Sequence, residues 1–406
     1  MQRSARRRTP TGLVGAIGAV ALGSMIANAC MYTVHLLAGG WFLGPGEYGE
    51  FAVLLSAMLV LGVPALALQV VLARAVVRGY DPHGLRGLTI RTTLSVAALV
   101  AVAIPLVAML ARTGVVTTIC ALGAAPFLTL IAAGQGVLQG RGEFRALGWV
   151  LAVVGFLRAA PTVGVLAAGA GPAGGLLAGT AGAAASAVIV WVVVVWAPVR
   201  SVAARSAPVP RDAGVSAAGV LRASQVQLVL IVATSVDLLL SRTVLGEDDA
   251  GVYALGAIAT KVAFWLPQAI GVVFYPRLAD PARSAGSLRT AVRVVVAIGA
   301  LLTVGAGLAG PLVPLVVGDD YQALSGLLWL FAATGAALSV LQVALLSAIA
   351  RDRTRIAGIA WAVAAGETVV IATAVHSVAA LAVVAAVSGM LAATVTVTVC
   401  LRRFGP

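Results

Sequence analysis

Charge is what this chain has least of. Only 10% of its 406 residues are Asp, Glu, Lys or Arg, and 61% are hydrophobic. A soluble domain of that length needs far more charge on its surface, so the composition excludes one. Lysine is nearly missing as well: of 27 basic residues, only Lys261 is not arginine. With abundant Ala, Val and Gly, this is the composition expected of a GC-rich, bacterial genome. Cysteine is scarce, and Cys30, Cys120 and Cys400 all lie in or beside apolar stretches. Their spacing suits neither a metal site nor a disulfide framework, and they read as small packing residues. Long polar segments are absent from one side of the chain's hydropathy pattern, which leaves no room for a domain on that side.

What the chain has in quantity is apolar runs of about 20 residues, each long enough to cross the hydrocarbon core of a bilayer. Twelve are expected, near 12–38, 50–72, 92–111, 115–138, 148–168, 173–197, 223–244, 251–275, 291–316, 323–349, 356–377 and 378–399. The fold class is therefore an all-α integral membrane protein. Ala27-Asn28-Ala29 resembles a signal-peptidase site, but the apolar run continues to Ala38, so the expectation is an uncleaved first span. The net charge of +13 follows from topology. Arg3, Arg6, Arg7 and Arg8, alternate loops and the tail carry 23 of the 27 basic residues, whereas the opposite side has only Arg112 and Arg242. That opposite side holds Glu47, Glu50, Glu247, Asp248, Asp249, Asp319 and Asp320. The positive-inside rule then places both termini in the cytoplasm of a bacterial plasma membrane and removes nucleic acid as a partner.

The chain is duplicated. Leu43-Gly-Pro-Gly-Glu-Tyr-Gly-Glu-Phe-Ala52 matches Leu245-Gly-Glu-Asp-Asp-Ala-Gly-Val-Tyr-Ala254, with Glu47 facing Asp249 and Phe51 facing Tyr253. Pro64 and Pro267, then Arg74 and Arg277, follow at similar distances. The longest polar stretch, 198–222, divides six spans from six. An even number per half returns the chain to the same side, so the halves are parallel repeats about an axis along the membrane normal. The expected domains are a first lobe (1–197), a cytoplasmic linker (198–222) and a second lobe (223–406), with the substrate path between the lobes. Prolines 64, 105, 126, 161 and 267 fall inside spans, where each removes a backbone hydrogen bond and can kink its helix. Gly136-xxx-Gly140 suits close helix contact.

Four ionisable residues fall deep inside spans: Arg158, Asp237, Lys261 and Glu367. Intramembrane charge is costly and by default marks a functional site. Measured from the repeat, His35 and Asp237 are equivalent, and Arg158 and Glu367 lie at similar depth in the fifth and eleventh spans. Ser24, Asn28, Tyr32 and His35 share one helical face of the first span, and Ser224, Gln227, Thr234, Asp237 and Ser241 one face of the seventh. Asn28, His35, Gln227 and Thr234 are thus candidate cavity-lining residues. Two readings stay open for the charges: a transport site, or fixed bridges Arg158–Glu367 and Asp237–Lys261. Arg242 is expected to snorkel to the interface, and Arg74 serves as an anchor or a phosphate contact.

Several of these segments resemble the polysaccharide and O-antigen flippases of the multidrug/oligosaccharidyl-lipid/polysaccharide (MOP) exporter superfamily. They are Leu43-Gly-Pro-Gly-Glu-Tyr-Gly-Glu-Phe51; Asp237 with Leu245-Gly, Ala250-Gly251, Tyr253-Ala254, Lys261 and Pro267; Phe274-Tyr-Pro-Arg-Leu278; and Gly318-Asp-Asp-Tyr321. The resemblance implies two six-helix lobes in a V, working by alternating access. It implies an isoprenoid-diphosphate-linked saccharide as cargo, flipped to the outer leaflet for cell-surface polysaccharide biosynthesis. Arg is suited to bidentate phosphate contacts. Arg158, Lys261 and Arg74 are therefore the diphosphate candidates, and Asp237 and Glu367 the candidates for coupling to Na⁺ or H⁺. No other cofactor and no metal is expected, and the chain is read as a monomer and not an enzyme. The rivals are a multidrug exporter of the same superfamily, which wants an aromatic-lined pocket where only Trp265 lies near mid-span, and a membrane polymerase or ligase, which wants a large outer loop. A major-facilitator transporter is disfavoured because the loop Arg74–Arg86 lacks its acidic-arginine pattern.

Overall fold

A computed structural model describes residues 10–77, 79, 82–196, 217–265, 284–351 and 353–404. Every regular element among them is helical. Eleven helical stretches are long and apolar enough to cross a membrane. The helix Glu247–Trp265 supplies the twelfth expected span; it falls outside that set because Glu247, Asp248 and Asp249 crowd its first turn and Lys261 lies further along it. The expected linker 198–222 lies outside the described residues up to 216, and the helix Ala217–Ala233 begins within it. Pro267, Arg277 and the Phe274–Leu278 motif also lie outside the described residues.

Two of the intramembrane prolines coincide with helix breaks. The second span is Pro45–Leu61 followed by Val63–Val77, parted at Gly62 just before Pro64. The fourth is Val115–Leu122 followed by Ala125–Arg141, parted just before Pro126. In both, the proline takes one of the first positions of the new helix, where its missing N–H costs nothing. Pro105 and Pro161 stay inside continuous helices, Pro82–Leu110 and Phe144–Ala167. The first span, Pro10–Leu37, ends in a wider π-turn over Ala38–Phe42. The seventh breaks without a proline, into Ala217–Ala233 and Val236–Val244. There Thr234 folds its hydroxyl back onto the Ile231 carbonyl (3.0 Å). The single polar face expected along the seventh span is therefore interrupted: a 3.6-residue period carries a face only while the helix is continuous.

The packing repeats as the sequence does. Span one lies along span five and seven along eleven; two packs on four and eight on ten; four on six and ten on twelve. Glycines make the tightest of these contacts. A Cβ on Gly136 would lie 2.5 Å from the Gln69 carbonyl oxygen and one on Gly140 2.6 Å from that of Ala73, joining spans two and four. In the second half a Cβ on Gly335 would lie 2.1 Å from the Thr260 carbonyl oxygen, joining spans eight and ten. Backbones can approach this closely only where side chains are absent.

The halves meet where the duplicated motifs lie. Span two packs on span eight. The repeat-equivalent glycines face each other there: a Cβ on Gly49 would lie 2.9 Å from the Gly251 nitrogen, and one on Gly251 1.7 Å from the Pro45 carbonyl oxygen. Around them lies the largest apolar core, with Tyr48, Phe51, Leu54, Leu238, Tyr253, Tyr321 and Phe331 drawn from both halves. Two crossed contacts flank it at the acidic end. The end of span one meets the end of span nine through Trp41 Nε1, which donates to the Val316 carbonyl (3.4 Å). The end of span seven meets the end of span three through Arg242. Arg242 does not snorkel: only 5% of its side chain is exposed. Its fork donates instead to the carbonyls of Gly46, Ala111 and Arg112.

Candidate functional site

The buried charges gather around the junction of the two halves, and each half contributes a version of one arrangement. In the second half, Asp237 sits in the first turn of Val236–Val244, 5% exposed. The Tyr253 hydroxyl donates to its Oδ2 (2.5 Å). Its Oδ1 is buried without a hydrogen-bond partner. In the first half, the equivalent His35 is also buried, and its Nδ1 pairs with the Tyr48 hydroxyl (3.1 Å). The residue equivalent to Tyr253 is Phe51, which meets the His35 ring edge-on at 6.4 Å. The repeat has kept the place and changed the chemistry: a phenol holds the acid in one half, while in the other a phenyl ring abuts the imidazole and the phenol comes from Tyr48.

Glu367, in the eleventh span Ala357–Ala374, is 7% exposed and close enough to Asp237 for direct electrostatic interaction. Lys261 also acts on Asp237 and on His35, and its ammonium donates across the half boundary to the Ser56 hydroxyl (3.2 Å). Among the described residues the sole ion pair within 4.0 Å is Arg242–Glu247. Neither Asp237–Lys261 nor Arg158–Glu367 is bridged. Two buried carboxylates with one ammonium leave a net negative site, and an uncompensated charge in low dielectric is expensive. One monovalent cation, a proton included, balances it. No group of three acidic, histidine or cysteine ligands that could hold a metal ion occurs among the described residues.

Arg158 stands apart. It lines a small cavity of about 20 Å³ in the first half, with Met31, Val34, Phe51 and Thr162. Its Nε is buried and unpartnered, although the Thr162 hydroxyl bonds to its backbone carbonyl (2.8 Å). A guanidinium has donors in a fixed fork and no acceptor, so this Nε–H is a donor left without a partner.

The other expected residues fall outside the cluster. Asn28 is half-buried on the first span, Gln227 is exposed, and Thr234 caps the break in the seventh. Arg74 is exposed in the last turn of Val63–Val77. Sequence reasoning missed Tyr253, Tyr48 and Ser56 as partners of the buried charges. For Tyr253 a signal existed, since it is the repeat partner of Phe51 and stands beside Asp237 on the ruler of the repeat. At the acidic end, Tyr321 is buried with its hydroxyl unpartnered. Burial and the neighbouring Asp320 and Asp248 push its phenol above the ordinary tyrosine value. No disulfide joins Cys30, Cys120 and Cys400, and the Cys400 thiol donates to the Ala344 carbonyl (3.7 Å).

No family model and no curated protein matches the sequence. Solved structures do. An inward-facing multidrug resistance MATE family transporter of the MOP superfamily superimposes with TM-score 0.72 at 14% identity, covering 96% of this chain and 98% of that one. An outward-facing MATE transporter of the same superfamily gives TM-score 0.64 at 15% identity, over 96% and 95% of the two chains. A MOP superfamily transporter from Pyrococcus furiosus, described by the reverse polarity of its binding pocket, gives 0.59 at 13% identity over 96% and 95%. The chain thus has the fold of the MATE transporters of the MOP superfamily, an all-helical membrane fold.

Proposed function

We propose that this chain is an alternating-access membrane transporter that exchanges a monovalent cation at Asp237 and Glu367 for movement of an anionic, isoprenoid-diphosphate-linked saccharide. The cargo would be carried from the arginine-rich, cytoplasmic side to the acidic, outer side. The observation that carries the reading is the division of buried charge. The second half holds two carboxylates and one ammonium, while the first holds an unpartnered guanidinium at Arg158. A binding path between two such walls offers cationic donors to a diphosphate and a separate acidic site to a coupling ion. The fold supports the cycle, because relatives with it have been seen both inward- and outward-facing.

Multidrug export is the rival, favoured by the descriptions of the neighbours. It fits the charges less well, since a path that opened onto the unpaired Arg158 guanidinium would repel organic cations. Proteoliposomes settle the choice. With a labelled isoprenoid-diphosphate saccharide, translocation is expected to respond to a Na⁺ or H⁺ gradient. Arg158→Gln or Lys261→Gln is expected to lower it about tenfold or more, the loss of a charged hydrogen bond to phosphate being about 1.5–3 kcal/mol. Translocation untouched by both substitutions, together with efflux of an organic cation, would replace the proposal by the rival.

A further inference from the structure

Arg242 belongs to neither charge group, yet among the described residues it makes the most extensive side-chain hydrogen bonding across the half boundary. Its Nε donates to the Ala111 carbonyl (3.1 Å) and its Nη2 to the Arg112 carbonyl (3.1 Å), both at the end of span three. Its Nη1 donates to the Gly46 carbonyl (2.8 Å) in the first acidic-end loop. All three acceptors lie in the first half. Glu247, 77% exposed, adds an ion pair at 3.4 Å from within the second half.

The receiving cradle is built around it. Arg112 adopts the left-handed backbone region (φ 49°), rare outside glycine. The loop beyond it is pinned, the Gly114 N–H donating to Glu50 Oε1 (2.6 Å). Gly49 leaves room for the fork: a Cβ there would lie 3.3 Å from Nη1. The repeat-equivalent position in the first half is Gly40, so only one of these two crossed contacts is made by a charged side chain.

Arg242 also shares a short rigid element with Asp237. The helix Val236–Val244 has nine residues and is parted from Ala217–Ala233 at Thr234–Ser235. Ser235 there departs from helical geometry (φ −141°), and its buried hydroxyl has no partner. Asp237 and Arg242 are thus carried by one helix, five residues apart. The groups that face Asp237 are Tyr253 and Lys261 from span eight and Glu367 from span eleven.

We infer that Val236–Val244 is a lever and Arg242 its latch: occupancy of the carboxylate site by a cation sets whether Arg242 sits in the carbonyl cradle that holds the acidic end shut. The inference rests on the alternating-access reading but not on the cargo.

Spin labels test it without cargo. In a chain whose Cys30, Cys120 and Cys400 are replaced by Ala, labels go at Gly44→Cys and Gly246→Cys. These are repeat-equivalent acidic-end positions where a Cβ meets nothing within 4 Å. Double electron–electron resonance in nanodiscs, with and without Na⁺ and at acidic and neutral pH, reads the separation of the halves. The parent is expected to show a mainly short distance whose population responds to Na⁺ or pH. Arg242→Ala should raise the separated population about tenfold or more, as loss of several charged hydrogen bonds requires, and abolish the response. Arg242→Lys, which keeps the charge but cannot reach three carbonyls, should fall between, and it carries the test if the alanine variant does not fold. Glu247→Gln should match the parent. Parent-like distances in Arg242→Lys and Arg242→Ala would overturn the latch, and a full cation response in Arg242→Ala, or none in the parent, would overturn the lever.

Discussion

Asp237 shows how far a single residue can be read. Its depth, its repeat partner and its carboxylate chemistry are legible in the sequence. The repeat also puts Tyr253 at a matching distance from the loop, but its hydrogen bond to Asp237 is not legible, because a hydroxyl at hydrogen-bond distance depends on the rotation of two helices about their axes. From the sequence, Asp237 and Glu367 are expected either to bind a coupling cation or proton or to be fixed in bridges with Lys261 and Arg158; the structure packs the helix of one acid on the span of the other and leaves both bridges unformed. Two such carboxylates acting on one ion form a unit, and residues in a unit are non-additive. Asp237→Asn and Glu367→Gln are each expected to lower gradient-driven transport about tenfold or more, and the double variant to be scarcely worse than either alone. Initial rates in proteoliposomes with an imposed Na⁺ or H⁺ gradient check this, and multiplying losses in the double variant would refute a shared site.

Helix breaks are the events that matter among the elements. Those at Gly62 and Gly123–Ala124 were legible, because Pro64 and Pro126 stand immediately after them. The break at Thr234–Ser235 was not, because no proline or glycine marks it, and the polar pattern of the seventh span suggested continuity. Its consequence is a short helix that carries both Asp237 and Arg242. Glycine contacts were legible only in kind. The Gly136–Gly140 pair suggested close packing but not its target, which is the backbone of span two. Gly251 is the most demanding of them. Gly251→Ala sets a Cβ into the Pro45 carbonyl, so the crossing of spans two and eight must widen. Overpacking of this kind costs about 1–3 kcal/mol. Gly246→Ala, whose Cβ meets nothing within 4 Å, should stay within about 0.5 kcal/mol of the parent. Thermal unfolding of the two variants in detergent should separate them clearly, and equal midpoints would show that the crossing is not tight.

For the whole molecule, charge asymmetry gives the expected orientation. Arginines gather at one end and acids at the other, with two exceptions, the exposed Arg112 and the buried Arg242. The parallel repeat, visible first as two matched stretches, reappears in the pairing of helices: one with five and seven with eleven, two with four and eight with ten. A reporter fluorescent only in the cytoplasm, fused after Phe404, is expected to be bright. The same reporter fused after Gly246, beyond seven spans, should be dark, and a periplasm-dependent phosphatase should give the reverse pattern. A bright fusion at both sites would break the twelve-span reading.

Membrane class, span positions, duplication and the depth of each buried charge came from the sequence alone, because hydropathy and repeat spacing are properties of the chain read along its length. Tertiary structure decided which charges meet. Arg158 and Glu367 are counted to a similar depth, yet one lines a cavity in the first half and the other lies on a span packed against the helix of Asp237. Depth is a coordinate along the helix axis and can be counted in residues. Contact also needs the angle around that axis and the distance between axes. In this protein those were set by glycine-to-backbone approaches, by a helix break with no sequence mark, and by three carbonyls placed to receive Arg242.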